Sequence, residues 1–319
     1  MSSDRVALAG VDVGGTKILC VVIDSAQPAE PVAQRQVETP AGADALFERI
    51  GELVGEAAAD AGAVPAGVGV ALPGLVDRAG RFHVGPNLPG VVGVDLAAAL
   101  APRLPGRVAF ENDASAAAWG EHRAGAARGA AASLTVTLGT GIGGGIVEDG
   151  RLLRGAHGFA GEVGHMTVAP DGLACTCGGR GCWEVYASGR ALGRLAREAA
   201  AAGRAERLVE LAGGAGEVRG EHVSQAAAQG DAGALAILGE LAGWAALGLN
   251  NLANLVDPEV IVVGGGLVEV GEALFGPMRE AFAARLLGGP GRPAPEIRPA
   301  LLGPAAGAIG AALLAGDRR

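Results

Sequence analysis

The stretch from Glu162 to Glu184 reads EVGH, nine intervening residues, then CTCGGRGCWE, and it concentrates the chain's reactive side chains. It places His165, Cys175, Cys177 and Cys182 within eighteen residues. Three thiolates and one imidazole make a full tetrahedral set for zinc with no position left for water, so the expected role is structural. A disulfide or scattered core thiols would be the plainer reading. Four cysteines in all, three of them in one cluster, fit a reducing cytosol with a metal site better. Cys20, inside an apolar run, reads as core. Glu162 and Glu184 flank the cluster, so the metal is expected to fix carboxylates that act on something else.

Three glycine-rich segments each end an apolar run: Asp12-Val-Gly-Gly-Thr-Lys17, Gly139-Thr-Gly-Ile-Gly-Gly-Gly145 and Gly264-Gly-Gly266. None is a Walker motif, because Gly15-Thr16-Lys17 has the wrong order. None is a dinucleotide fingerprint, since Gly139–Gly145 leads into a strand and hairpin and not a helix. One such loop is most simply a tight turn. Three at strand ends favour backbone nests around phosphates, with Gly14, Gly15, Thr16, Lys17, Gly139, Thr140, Gly141, Gly143, Gly264, Gly265 and Gly266 as candidates. Asp12 is either a turn-former or a holder of magnesium through water, and the second is favoured beside such a loop. Asp113 is open to two readings, helix cap and general base for a hydroxyl receiving a phosphoryl group.

The elements that must position these groups follow from periodicity. Val6–Val11 and Ile18–Ile23 read as a hairpin around the first glycine turn. Ser133–Leu138 repeats the design in the second half, with a further hairpin at Glu148-Asp-Gly150, and the recurrence suggests two related subdomains. Leu46, Ile50, Leu53, Val54 and Ala57 share one face of a helix over Asp44–Ala61. Val68–Leu72 and Val108–Phe110 are short strands. Asn112 and Asp113, good N-cap types, stand where the second of these gives way to an Ala-rich helix. In α/β folds that strand end is where ligands bind. Further helices are expected over Glu184–Ala201, Asp231–Leu255 and Ala305–Ala315, with a parallel-type strand at Glu259–Val263.

At 319 residues the chain can bury one large core or two. A net charge of −9 disfavours nucleic acid and polyanion partners, which need a basic face. No leader is visible; of the long uncharged runs one is broken by a glycine turn and the others carry asparagines or Pro304, so none reads as a spanning helix and a soluble, cytoplasmic protein without membrane association is expected. His83, His122 and His222 are expected at the surface or in loops, and His157 near a ligand loop.

These residues resemble the ROK sugar kinases and repressors, within the actin and hexokinase superfamily. Asp12–Lys17 resembles the first phosphate loop, Leu138–His165 the family signature with Gly155, Gly161 and Gly164, CTCGGRGCWE the zinc motif, and Ile261–Gly266 the adenosine loop. Pro73-Gly74-Leu-Val-Asp77, Pro86-Asn87-Leu88 and Glu111-Asn112-Asp113 resemble the segments that line the sugar. The resemblance implies an α/β, two-lobed actin/hexokinase-like (ribonuclease H-like) fold with a ligand cleft between lobes. Residues 1–115 would form the small lobe, rejoined by a last helix at 305–319, and 116–304 the large one, with hinges near Asp113 and Gly303.

It also implies ATP-dependent phosphorylation of the 6-hydroxyl of a hexose, most often glucose. Asp113 would be the base, Asn112, Glu162, His165 and Glu184 would bond sugar hydroxyls, and Asn87 and Gly74 would complete the pocket. His165 would bridge zinc and sugar. Mg²⁺ would accompany ATP, and a homodimer or tetramer is implied. One departure is visible: many relatives carry Trp where this chain has Val91-Val92, which bears on the edge of the sugar pocket. N-acetylmannosamine, N-acetylglucosamine, mannose, fructose and allose therefore remain alternatives to glucose, and polyphosphate, though disfavoured by the acidic balance, an alternative to ATP. A sugar-sensing repressor is disfavoured because Asp12 comes too early for a preceding winged helix. A zinc-ribbon nucleic-acid binder is disfavoured because Arg180 alone lends basic charge to the cysteines.

Overall fold

Hydrophobic alternation and β-branched runs set the first strands of the computed structural model, which describes residues Val6–Asp317. Strands β1 (Ala7–Val13) and β2 (Lys17–Asp24) pair antiparallel across the first glycine turn, and β3 (Ala33–Glu38) pairs with β2. Helix α1 (Ala43–Ala61) buries the predicted face, plus Phe47, and stops at Gly62 in the left-handed conformation. Strand β4 (Gly67–Leu72) is buried throughout and runs parallel to β1. A small hairpin, β5 (Leu75–Val76) and β6 (Phe82–Val84), precedes α2 (Leu96–Leu100), capped by Asp95. Strand β7 (Arg107–Asn112) is parallel to β4 and runs directly into α3 (Asp113–Ala124).

The second half opens with β8 (Ser133–Leu138), β9 (Ile142–Glu148) and β10 (Arg151–Leu152). The β9–β10 turn sets Asp149 and Gly150 at φ 48° and 65°, the backbone of a two-residue hairpin turn of the type that glycine favours. Helices α4 (Glu184–Ala187), α5 (Gly189–Ala201), α6 (Glu206–Ala212), α7 (Gly220–Ala228) and α8 (Ala232–Val256) follow. Strand β11 (Val260–Gly264), α9 (Glu272–Ala283), β12 (Glu296–Pro299) and α10 (Ala306–Gly316) complete the chain, with β11 and β12 parallel.

The two five-stranded sheets have the same order, β3-β2-β1-β4-β7 and β10-β9-β8-β11-β12. The recurrence of strand, glycine turn and strand therefore extends to a recurrence of whole-sheet topology. By internal contacts the chain forms two units. One comprises Met1–Thr135, Gly144–Gly161 and Ala300–Arg319; the other comprises Val136–Gly143 and Glu162–Pro299. The first unit runs past the expected boundary near residue 115, because α3 packs along its length on α10 and belongs with it.

In the first unit one core gathers α1 and α2 on one side of the sheet, around Ile18, Ile50, Leu53, Val70 and Leu72. The opposite face takes α10, a helix of small residues that lies almost on the sheet backbone. A Cβ at Gly10 would overlap the Ala308 carbonyl, and one at Gly69 the Ala311 carbonyl. In the second unit α8 is the central helix, packed on α9, α5 and α7. The sequence reading expected this helix over Asp231–Leu255 and did not take its asparagine-bearing uncharged run for a membrane span. It forms one helix of 25 residues, long and apolar enough by length and composition to cross a membrane, and half of its most apolar stretch is buried in the protein. Asn250 sits inside it by donating to the Ala246 and Phe282 carbonyls. The helix expected over Glu184–Ala201 divides at Ser188, whose hydroxyl accepts the Ala191 N–H and starts α5 anew.

Candidate functional site

In the second unit, Glu162 opens a single 3₁₀ turn, Val163–His165, which presents His165 toward the cysteine loop. That loop is closed by bridges between Thr167 and Cys182 and between Ala174 and Arg180. Gly178 and Gly181 take φ of 92° and 71°, and a Cβ at Gly181 would overlap the Ala169 carbonyl, so the loop needs glycine there. Trp183 fastens its far end to α8: the indole lies on Gly248 and donates to the Trp244 carbonyl at 2.8 Å. The Tyr186 hydroxyl accepts the Leu173 N–H at 2.7 Å.

The four expected ligands converge, with their donor atoms all within 4.8 Å of one another. Cys177 Sγ and Cys182 Sγ are 3.7 Å apart, and Cys175 Sγ and His165 Nδ1 are 3.8 Å apart. Ligands about 2.3 Å (sulfur) and about 2.0 Å (nitrogen) from a tetrahedral ion would be separated by roughly 3.5–3.8 Å. The donor set and its spacing therefore fit zinc. Burial, chiefly, pushes the Cys175 thiol up to about 12, while the Gly179 N–H draws Cys177 down. A metal would have to displace those protons as it binds.

The Cys175 thiol donates to Glu184 Oε1 at 3.1 Å, so the carboxylate rests directly on the cluster. Glu184 is also the first residue of α4, where a helix N-terminus favours negative charge. Its other oxygen crowds Gly141, where a Cβ would come within 2.5 Å. Glu162 titrates above the ordinary carboxylate range: enclosure of its carboxyl group raises it most, His165 opposes, and Glu184 adds repulsion. Glu162, Glu184, His165 and the turn at Gly141 are thus held around one fixed loop.

Residues 139–143 of the second glycine segment and the whole of the third belong to this unit. Gly139, Thr140 and Gly141 make the turn itself, closed by the Gly139 N–H on the Gly141 carbonyl at 3.0 Å, and the Gly139 carbonyl accepts the first N–H of α5, from Gly189, at 2.7 Å. The strand resumes at Ile142, so Gly143 lies within β9 and not in the turn. Gly264 ends β11, Gly265 turns at φ 84° where a Cβ would overlap the Leu138 backbone, and Gly266 begins a 3₁₀ turn.

In the first unit, the loop after β1 is tied by the Gly14 N–H to the Lys17 carbonyl at 2.8 Å and by the Thr39 hydroxyl to the Gly14 carbonyl at 2.7 Å. Gly15, Thr16 and Lys17 remain exposed. Asn87, also exposed, lies against Gly15, where a Cβ would stand 3.1 Å from that of the asparagine. Asp12 sits in β1 just before the loop. Its residue is half-buried, but its carboxyl group is enclosed under the start of α10, 2.6 Å from where a Cβ at Gly307 would be. Desolvation, then repulsion from Asp113, raise it from 3.8 to about 7, and Lys17 opposes.

The helix cap is made by Asn112, whose Oδ1 accepts the Ser115 N–H at 2.9 Å. Its Nδ2 donates to the Gly74 carbonyl at 3.2 Å, and Gly74, at φ 144°, packs so closely that a Cβ would overlap the Val84 carbonyl. Asp113 occupies the first helical position, with Oδ1 accepting the Ala114 N–H at 2.8 Å. Gly74, Asn112 and Asp113 thus form one cluster near Asp12.

Two features escaped the sequence reading. Glu111 is buried, 4% exposed, and pairs with Arg154 at 2.6 Å. The sequence showed Glu111 only as an acidic residue at the end of an apolar strand, within the Glu111-Asn112-Asp113 segment, and gave no sign of its pairing with Arg154. His122 is buried and not superficial: its Nδ1 meets Ser133 Oγ at 2.9 Å, its ring stacks on Trp119, and burial holds it below the usual histidine range. His83 is partly exposed as expected, but it is fixed by Asp77 at 2.8 Å and packs edge-on to Phe159. Asp77 is drawn down to about 2 by that contact and by backbone N–H groups. The His157 carbonyl accepts the Arg78 N–H.

Comparison with known proteins places this geometry in context. The profile described as "ROK family" matches residues 8–318. The glucokinase of Streptomyces coelicolor is 42% identical over 292 residues, 90% of each chain. That of Thermotoga maritima is 35% identical over 277 residues, covering 86% of this chain and 87% of its own. A crystal structure of a ROK family glucokinase from Streptomyces griseus, in complex with glucose and AMPPNP, superposes with a TM-score of 0.85 at 42% identity, over 97% of this chain and 99% of that one.

Proposed function

Since the chain belongs to the ROK family and is a hexokinase-type sugar kinase of two-lobed, actin/hexokinase-like fold, we propose that it transfers the γ-phosphoryl group of ATP to the 6-hydroxyl of glucose. The observation that carries the choice of sugar is the 42% identity, over nearly the whole chain, to a kinase whose structure holds glucose and AMPPNP. The products are glucose 6-phosphate, ADP and a proton.

Phosphoryl transfer asks little covalent chemistry of a protein and much positioning. Asp113 accepts the proton of the 6-hydroxyl as that oxygen attacks phosphorus. Its place at the first turn of α3 supports this, because Asn112 already satisfies the cap and the carboxylate is not needed for it. Asn112, Glu162, His165 and Glu184 bond the sugar's hydroxyls, with Gly74 and Asn87 at the edge of the pocket. The loops at Gly14–Lys17, Gly139–Gly143 and Gly264–Gly266 hold the nucleotide. Asp12 would hold Mg²⁺, and the ion when bound would supply charge that offsets the negative charge of the transferring group.

Zinc on His165, Cys175, Cys177 and Cys182 has a structural role. The Cys175–Glu184 contact supports it: the loop that carries the ligands also carries the carboxylates assigned to the sugar. Assembly as a homodimer or tetramer rests on the family resemblance, and light scattering on the purified protein measures it.

The test is ATP-dependent ADP release over a panel of glucose, mannose, fructose, allose, N-acetylglucosamine and N-acetylmannosamine, with polyphosphate as a second donor. Turnover on glucose at least tenfold above every other sugar is expected. Preference for an N-acetylhexosamine would overturn the choice of glucose, and absence of turnover on every sugar would overturn the catalytic assignment of Asp113.

A further inference from the structure

Glu111 is a buried acid that the proposed reaction does not use, and it stands one residue before Asn112 and two before Asp113. Its Oε1 accepts the Asn112 N–H at 3.1 Å, and its Oε2 accepts Arg154 Nε at 2.6 Å. The carboxylate therefore holds the backbone N–H of Asn112, one residue before Asp113. Arg154 comes from the far side of the β9–β10 hairpin, at the start of the segment that leads to Glu162. That segment is itself bound to the β5–β6 hairpin, because Arg78 donates through its backbone to the His157 carbonyl and through Nη2 to the Gly155 carbonyl.

Gly155 turns at φ 71°, and Gly161 packs on the Gly144 carbonyl and Ser115. Around the ion pair lies a cavity of about 270 Å³, lined also by Val76, Asp77 and Phe110. The strand end is therefore not wedged in place by dense packing on that side. Charge and hydrogen bonds hold it.

We propose that Glu111 and Arg154 are positioning residues for the phosphoryl transfer, setting the backbone from which Asn112 and Asp113 act. This rests on the reading of Asp113 as the base. Glu111 is the buried member, its side chain 5% exposed against 34% for Arg154, so removing Arg154 takes an opposite charge away from an enclosed carboxylate. The strand end then shifts to solvate the carboxylate. A displacement approaching 1 Å at reacting groups costs on the order of 100-fold in rate. The nucleotide loops at Gly139–Gly143 and Gly264–Gly266 belong to other elements and should not follow.

The test compares wild type, Arg154→Met, Arg154→Lys, the double variant Arg154→Met with Glu111→Gln, and Asp113→Asn, all assayed well below their melting temperatures. Arg154→Met should lower kcat at least tenfold and leave KM for ATP within about twofold. Arg154→Lys should recover part of the loss. The double variant should exceed Arg154→Met alone, because the stranded charge is gone. Asp113→Asn isolates the underlying reading: if it keeps wild-type kcat, the base assignment fails and the positioning role that rests on it is overturned with it. If Asp113→Asn loses turnover while Arg154→Met keeps kcat within twofold, the positioning role is overturned. Equal losses for kcat and ATP affinity, with no recovery in the double variant, overturn it too, because they indicate a general structural defect.

Discussion

Replacing Asp12 by Asn should make the protein more stable at alkaline pH and less active. The raised titration of Asp12, from 3.8 to about 7, means the folded protein binds its proton more tightly than the unfolded chain does. For an acid shifted in this direction, ionisation is paid in the native state. Stability is highest below 3.8, falls as pH rises toward 7, and levels above it. The shift corresponds to on the order of 4 kcal/mol at most, of which roughly 2–3 kcal/mol accrues between pH 5 and 8. Enclosure under α10 supplies most of it and the charge of Asp113 the next part.

The variant should lack this slope, whatever constant offset the new amide brings. Urea unfolding at pH 5, 6, 7 and 8, without magnesium or nucleotide, reads the difference between the two proteins at each pH. The variant should gain on wild type by about 2 kcal/mol or more across that range, while losing kinase turnover. Such a trade is expected where a charge is kept for function in a site that disfavours it. Parallel pH profiles, within about 0.5 kcal/mol throughout, would show that Asp12 ionises normally and that the enclosure has no energetic consequence.

Asp113→Asn should lose kcat by on the order of 10²–10⁴ and still bind glucose, measured by calorimetry beside steady-state kinetics. Cys177→Ala, or removal of zinc by a chelator, should weaken glucose binding more than ATP binding; equal losses for both ligands would indicate general unfolding in place of a disordered sugar loop. Gly310→Ala should destabilise without touching the chemistry, because its Cβ would overlap the Ala116 carbonyl where α10 meets α3. A loss of about 1–3 kcal/mol or more in chemical denaturation is expected, and an unchanged midpoint would mean the two helices part easily.

Much of this was legible in the residues. The spacing of His165, Cys175, Cys177 and Cys182 specified a metal-type cluster because few other arrangements bring one imidazole and three thiols so close in sequence. The hairpins around the first two glycine turns were legible from alternation and glycine, both local signals. Local signals also sufficed for α8, expected over Asp231–Leu255, where Asn250 fits inside the helix because the carbonyls of Ala246 and Phe282 accept its amide hydrogens. Such signals misled where they were weak. His122 looked superficial because Ala-rich α3 shows no strongly apolar face, and it is buried because α3 lies under α10 and the strand bearing Ser133.

The sequence by itself determined the identities of the donors, the glycines that permit close turns and the order in which the elements come. It did so because types and short spacings are properties of the chain alone. Tertiary structure decided that the amide of Asn112, and not the carboxylate of Asp113, makes the cap, with its Nδ2 turned to the Gly74 carbonyl. It decided that Asp12 titrates near neutrality, because enclosure comes from α10, nearly three hundred residues away in sequence. It also paired Glu111 with Arg154, 43 positions apart. Burial and charge pairing are set by what the rest of the chain brings alongside, and no local pattern records that.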